Sequence, residues 1–157
     1  MRLLKPLIAL LVIAVIVVAA GVIRAGAPIA REPGVVYRLS AYLTQHRVST
    51  TSVSIYPERE LTAYHRPVET VFDAALATAR DKGWEIQALA REEYRFKAIA
   101  RTPVWRFKDH IEVRITRRED KGTSALHISA ESELGIADLG QNTAHLITLR
   151  EGVEQRL

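Results

Sequence analysis

Three different spacings of hydrophobic residues follow one another along the chain. The first is an unbroken run, since residues 7–23 are seventeen positions without a polar side chain. A helix of that length, rising about 1.5 Å per residue, crosses most of a hydrocarbon core of roughly 30 Å. The run predicts a transmembrane anchor, assigned to residues 1–25, that contacts the bilayer through residues 7–23.

The alternative for this segment is a cleaved signal peptide. Arg2 and Lys5 give it a basic start, and Ala25–Ala27 resembles a cleavage site. The apolar run is longer than the roughly 7–15 residues of a signal peptide, and Arg24 lies beside the site. A retained anchor is therefore favoured. The very short N-terminal tail favours an orientation with the N-terminus inside and the rest outside the cytoplasm.

Residues 26–50 predict a juxtamembrane linker, because proline and glycine interrupt its first half. Within it, Val36, Leu39 and Leu43 recur at helical spacing. This spacing predicts a short amphipathic helix at the membrane surface. An irregular connection is the alternative, since only three apolar positions carry the pattern.

The second spacing is that of an amphipathic helix over residues 68–82. Pro67 suits the first helical position, and Gly83 suits the C-terminal stop. The apolar stripe that this helix would bury consists of Val68, Val71, Phe72, Ala75, Leu76 and Ala79.

The third spacing is the alternation of apolar and polar residues that is typical of half-buried strands. Four such segments, joined by short polar turns, predict an antiparallel meander. A further short strand is predicted at Val53 and Ile55, before Pro57. The four segments cover residues 84–91, 94–101, 106–115 and 126–131.

A last helix is predicted from about Asn142, with leucines that return to the sheet. The predicted fold class is α+β: an N-terminal transmembrane helix followed by a two-layer domain, in which the antiparallel β-meander packs against two helices. The soluble domain is assigned to residues 51–157.

Composition excludes several classes of function. The chain has no cysteine, which rules out disulfides, thiolate nucleophiles and cysteine metal sites. Its net charge of +4 depends on the anchor: without Arg2, Lys5 and Arg24, 19 of the 22 basic residues remain against 18 acidic ones. A nearly neutral domain is not typical of a nucleic-acid binder, so no nucleic-acid partner is expected.

Asp109 is the most unusual polar residue, because alternation places it on the face of its strand that should be buried. A buried carboxylate needs a charged or hydrogen-bonding partner. Asp138 and Asn142 flank the start of the last helix and are predicted to cap it. Gly135 and Gly140 are predicted to supply positive φ angles in the same turn.

No known catalytic or cofactor motif surrounds these residues. The five histidines lack metal-binding spacing, although His110 and His127 share a predicted strand face with Glu112 and Glu131. No nucleotide-binding glycine pattern and no serine nucleophile motif is present. The sequence therefore assigns no catalytic residue, metal ligand or cofactor.

Two sequence motifs stand out: ARTPVWRFKD at 100–109, between the second and third predicted strands, and SELGIADLGQN at 132–142, after the fourth. Their order and spacing resemble the family called domain of unknown function 1499, and the similarity extends over about residues 50–150. The resemblance implies a bacterial or plastid protein, often behind a membrane anchor, with no established activity.

The resemblance also transfers a set of candidate residues and shows where this chain departs from it. Ser129, Glu133 and His145 stand where relatives tend to have arginines, and His110 replaces a frequent second acid. An anion site at the turn is therefore disfavoured. The ligand-binding or structural candidates that it transfers are Asp109, Ser132, Gly135, Asp138, Gly140 and Asn142.

These observations predict an uncharacterised membrane-anchored envelope protein that acts as a non-enzymatic interaction or ligand-binding module. One alternative is an enzyme that uses Asp109 and Asp138 as acid and base; another is a domain that binds lipid between its sheet and helices. Expected partners are the bilayer, envelope proteins and anionic lipid. The expected location is the bacterial inner membrane, with a single pass and the C-terminal domain outside the cytoplasm.

Overall fold

The computed structural model describes residues 4–102, 106–119, 122–133 and 137–157. Helix α1 (Leu4–Ala25) comes first, and its large apolar side chains between Leu7 and Val17 are 50–67 % exposed. Within the described residues, Lys5–Ala25 is the one helix long and apolar enough to cross a membrane. The predicted apolar N-terminal helix is confirmed.

The described residues after α1 form a two-layer domain of three helices and six strands. Short 3₁₀ turns at Pro57–Arg59 and Arg91–Glu93 join some of them. The elements are α2 (Val35–Thr44), β1 (Arg47–Ser49), β2 (Thr62–Tyr64), α3 (Val68–Asp81), β3 (Glu85–Ala90), β4 (Arg95–Arg101), β5 (Lys108–Arg117), β6 (Ser124–Ser132) and α4 (Gln141–Glu154).

The strands form one antiparallel sheet in the order β1-β6-β5-β4-β3. The four consecutive strands β3 to β6 are hairpin neighbours, which confirms the predicted meander. Strand β6 is long enough to pair with two short strands, β1 near its C-terminal end and β2 near its N-terminal end. The sheet brings Asp109 on β5 directly opposite Ser132 on β6.

Helices α3 and α4 cover one face of this sheet and leave the other face open. The interface is filled by side chains that are almost fully buried, among them Phe72, Phe96, Val113, Leu146 and Leu149. The rings of Phe72 and Phe96 meet edge to face, with centroids 6.1 Å apart. The predicted α+β class is therefore correct, and side chains occupy the layer where a bound lipid chain would have to lie.

The end of α1 packs against the domain rather than standing free of it. Val22 is fully buried and lies in a small cluster with Ala27 and Tyr42. The Tyr42 hydroxyl donates a hydrogen bond of 2.7 Å to the Pro28 carbonyl. The chain that follows α1 is thus fixed along α2.

One short predicted strand differs from the structure. Val53 and Ile55 lie in an irregular loop and not in a strand, because β1 ends at Ser49 and the loop residues have no pairing partner on β6. Their side chains are 82 % and 64 % exposed. The segment predicted as a linker contains α2 and β1, and the domain boundary at residue 51 stays a prediction.

Candidate functional site

Asp109 is fully buried, as the alternation of its strand predicts. Ser132 lies opposite it in the sheet, and the Ser132 hydroxyl donates a hydrogen bond of 2.5 Å to Asp109 Oδ1. A hydroxyl donor to a carboxylate gives a short, strong hydrogen bond. One oxygen of the carboxylate is therefore bound within the sheet.

The other oxygen of Asp109 binds helix α4. His145 Nε2 lies 3.0 Å from Asp109 Oδ2, and the imidazole meets the Trp84 ring edge to face. His145 is itself buried, with 7 % exposed. Asp109 thus ties two strands and a helix together, which satisfies the requirement that a buried carboxylate be hydrogen-bonded.

Serine, aspartate and histidine also form hydrolase triads, but the connections here are different. In a triad the histidine takes the proton of the serine, and the aspartate orients the histidine. Here Ser132 and His145 each bind the same carboxylate of Asp109. The serine proton is therefore directed at the carboxylate, which is an arrangement for holding elements together rather than for activating a nucleophile.

Asp138 caps the start of α4, as the sequence predicts. Its carboxylate accepts the backbone N–H groups of Gly140 at 2.8 Å and Asn142 at 3.1 Å. Burial raises the pKa of Asp138, and the negative charge of Asp109 raises it further, although the two N–H groups oppose the shift. The carboxylates of Asp138 and Asp109 are thus each bound by groups of the protein.

Asn142 does not cap the helix with its side chain. Its amide donates a hydrogen bond of 2.8 Å to the His46 carbonyl, ahead of β1. Asn142 is fully buried, and its Oδ1 has no hydrogen-bond partner among the residues that the structure describes. The residue fastens the segment before β1 to the helix start.

Gly140 is required by both conformation and space. Its φ is +85°, and a Cβ there would lie 2.5 Å from the Cβ of Ala27 and 3.3 Å from the Tyr42 ring. The preceding residue, Leu139, donates its backbone N–H to the Tyr42 carbonyl at 3.1 Å. The turn therefore holds the end of α1, while the predicted role of Gly135 falls outside the described residues.

A second buried polar group was not predicted from the sequence. Arg38 on α2 is fully buried, and its guanidinium binds both oxygens of Glu58, at 2.7 and 3.0 Å. Burial alone would lower the pKa of Arg38, but its hydrogen bonds to Glu58 and Tyr42 outweigh this and raise it. The available signal was that Arg38 is the only charged residue in α2.

The open face of the sheet carries a shallow cavity of about 340 Å³ above strands β4, β5 and β6. A smaller cavity of about 210 Å³ adjoins it and shares Glu112 and Ser129. Burial lowers the pKa of His127, which lines the second cavity, and the positive charge of Arg114 lowers it further. Within the described ranges, no group of three histidine or acidic side chains is placed to hold a metal ion. Ionisable side chains at the larger cavity are Arg47, Lys97, His110, Glu112 and Glu131.

These features define a class of protein: a two-layer α+β domain held against the end of a long apolar helix. The chain belongs to the family described as "Protein of unknown function (DUF1499)", whose profile matches residues 34–153. The family resemblance read from the two sequence motifs is thereby confirmed. No curated protein sequence matches this chain.

Proposed function

We propose that this protein is a single-pass protein of the bacterial inner membrane whose domain, outside the cytoplasm, binds a partner without catalysing a reaction. The observation that carries this proposal is the open sheet face with its cavity of about 340 Å³. Ionisable side chains gather there, while the two acids that could have served in catalysis are buried. Asp109 is fully buried, and Asp138 is 9 % exposed.

The charged groups at this cavity are free to rearrange around a partner. Lys97 and Glu112 are 3.8 Å apart, and Arg47 and Glu131 are 3.7 Å apart, with all four side chains about half exposed. Exposed pairs of this kind contribute about 0–1 kcal/mol, so a partner exchanges them at little cost. Both signs of charge are present, which favours a polar partner that carries both signs, such as a segment of an envelope protein.

Support for the membrane location comes from α1. Its apolar side chains are directed outward along the segment from Leu7 to Val17, where water would be an unfavourable solvent. Alkaline extraction of a membrane fraction tests this part. The proposal predicts that the full-length protein stays with the membrane, and release into the supernatant would contradict it.

The binding role is tested with a matched pair of charge reversals, Lys97→Glu at the cavity and Lys82→Glu at the end of α3. Lys82 is exposed on the helical side of the domain. The full-length proteins are purified in mild detergent, and co-purifying molecules are quantified by mass spectrometry. We expect a molecule that Lys82→Glu retains and Lys97→Glu loses by about tenfold, the change that 1.4 kcal/mol produces. Identical sets from both variants would refute the role of this face.

A further inference from the structure

Helix α2 is turned so that its charged residue is buried and one stripe of apolar residues is exposed. Arg38 is fully buried, whereas Val36 is 78 % exposed and Leu43 is 45 % exposed. Leu39, between them on the same stripe, is half-buried. A helix on the surface of a soluble domain normally shows the opposite arrangement. Because Arg38 is its only charged residue, α2 presents no charge to its surroundings.

The rotation of α2 is fixed by the hydrogen bonds of Arg38. Beyond the two to Glu58, the guanidinium donates to the Tyr42 hydroxyl at 3.1 Å and to the carbonyls of Arg31 at 3.0 Å and Glu32 at 2.5 Å. These bonds use the five N–H donors that an arginine has. Turning the apolar stripe inward would break all of them, so the structure holds that stripe outward.

A neighbouring loop adds two more exposed apolar side chains. The Tyr56 hydroxyl donates a hydrogen bond of 3.3 Å to the Tyr37 carbonyl in the first turn of α2. Val53 and Ile55, just before Tyr56, are 82 % and 64 % exposed. Together with Val36, Leu39 and Leu43 they form what we call the α2 patch. Large apolar side chains that are exposed together on neighbouring elements commonly mark an interaction site.

The α2 patch lies next to the point where the anchor ends. The opposite side of α2 carries Tyr42, which packs on Val22 in the last turns of α1. Ile23 beside it is 72 % exposed, so the last turn of α1 also presents apolar surface. Arg24 in that turn and Arg31 before α2 are both exposed, and their positive charges suit lipid phosphates.

We propose that the α2 patch lies in the headgroup region of the bilayer that α1 crosses. This inference rests on the membrane anchoring proposed above and specifies a second contact between the domain and the lipid. A lipid surface fits the patch because it accepts apolar side chains without demanding charged partners. The domain is thereby held with α2 toward the membrane.

The absence of cysteine from the sequence makes a direct test simple. Single cysteines are introduced as Leu43→Cys and Val36→Cys in the α2 patch, and as Leu89→Cys on the edge strand β3. Leu43 and Leu89 are a matched pair, since each is 45 % exposed. Val15→Cys in the middle of α1 serves as the reference for the bilayer interior. Each full-length variant is labelled with an environment-sensitive fluorophore and reconstituted in vesicles of phosphatidylcholine and phosphatidylglycerol.

Quenching by nitroxide-bearing lipid and by aqueous iodide then locates each label. We expect the labels at positions 36 and 43 to be quenched several-fold more by the lipid nitroxide than the label at position 89, and several-fold less by iodide. A label at 43 that behaves like the one at 89 overturns the proposal. Protection of 36 and 43 from both quenchers also overturns it, because a protein partner or a second copy would then cover the patch.

The position-15 label separates this inference from the proposed function. If that label is not quenched by the lipid nitroxide, the anchor does not enter the bilayer and the proposed membrane location fails. If it is quenched while positions 36 and 43 are not, only the lipid contact of the α2 patch is refuted. Matching circular dichroism spectra of the four labelled variants confirm that each comparison is between folded proteins.

Discussion

Leu139 lies against Gly21, so the turn before α4 contacts α1 at a position where α1 has no side chain. A Cβ at Gly21 would come within 2.7 Å of Leu139 Cδ1. Leu139 has a φ of +51°, a conformation that is uncommon for a leucine and costs about 1 kcal/mol or more. The contact thus joins a position of α1 that has no side chain to a strained turn, and it fixes where α1 meets the domain.

Filling the space at Gly21 should loosen this contact. We expect Gly21→Leu to displace Leu139 and to weaken the hydrogen bond that the Leu139 N–H donates to the Tyr42 carbonyl. The expected loss of stability is about 1–3 kcal/mol, which is typical of overpacking. Hydrogen–deuterium exchange of residues 137–142 in the full-length protein measures it, with faster exchange expected by about tenfold or more. Ala20→Leu, one residue away on the exposed side of α1, is the control. Equal exchange in both variants would contradict the contact.

The buried pair of Arg38 and Glu58 should behave as a unit. Arg38→Met leaves the Glu58 carboxylate buried without its partner, and we expect a loss of about 3–5 kcal/mol in the free energy of unfolding. The double variant Arg38→Met, Glu58→Leu should recover part of that loss, because no uncompensated charge remains. Urea unfolding of the full-length variants in one detergent provides the measurement. Strictly additive losses in the double variant would show that the pair is not coupled.

Glu58 should also make the domain sensitive to acid. Burial alone would raise the pKa of Glu58, but the hydrogen bond from Arg38 outweighs it and holds the pKa below its ordinary value of 4.5. Below pH 4.5 the unfolded chain binds more protons at Glu58 than the folded chain does. The stability that Glu58 contributes is therefore complete above that pH and is lost as the pH falls through the folded-state pKa.

We therefore expect the free energy of unfolding of the wild type to fall more steeply below pH 4.5 than that of Glu58→Gln. Urea unfolding at a series of acidic pH values measures the two slopes. Asp138, whose raised pKa acts in the opposite sense, is present in both proteins and cancels in the comparison. Parallel curves would contradict the assignment.

Asp109 is predicted to be structural. Asp109→Asn keeps an oxygen that accepts from Ser132, and its amide N–H can donate to His145 Nε2 when the ring proton lies on Nδ1. A loss of about 0.5–1.5 kcal/mol in the free energy of unfolding is therefore expected. Asp109→Leu leaves both partners without a bond in the interior, and about 2–4 kcal/mol should be lost. Thermal unfolding ranks the two variants, with Glu112→Gln on the outer face of the same strand as the control. Equal losses for asparagine and leucine would argue against the hydrogen-bonded role.

The elements with local signals were predictable from the sequence. Helix α3 begins at Val68 as expected and ends one residue before the predicted end, because its apolar stripe and its glycine stop are local features. The burial of Asp109 followed from alternation alone. The short strands β1 and β2 were missed, since three residues carry too little periodicity and their pairing with β6 depends on partners sixty or more residues away.

The contacts that build the site were not predictable, for a related reason. Alternation gives the face on which Asp109 lies but not the helix that reaches it, so His145 was seen only as a departure from the family pattern. For α2 the apolar spacing was recognised, yet the buried side is decided by Arg38 and its distant partner Glu58. Periodicity describes one element, whereas an ion pair between two elements depends on their docking.

The grip of the 138–142 turn on the last turns of α1 has a mechanical consequence. Leu139 of the turn packs on Gly21 of α1, and Ala27, just after α1, packs on Gly140 of the turn. The helix end and the domain therefore meet at two close contacts. A rotation or tilt of α1 therefore acts directly on the turn before α4. The direction of the sheet face that carries the cavity is thereby tied to the direction of α1.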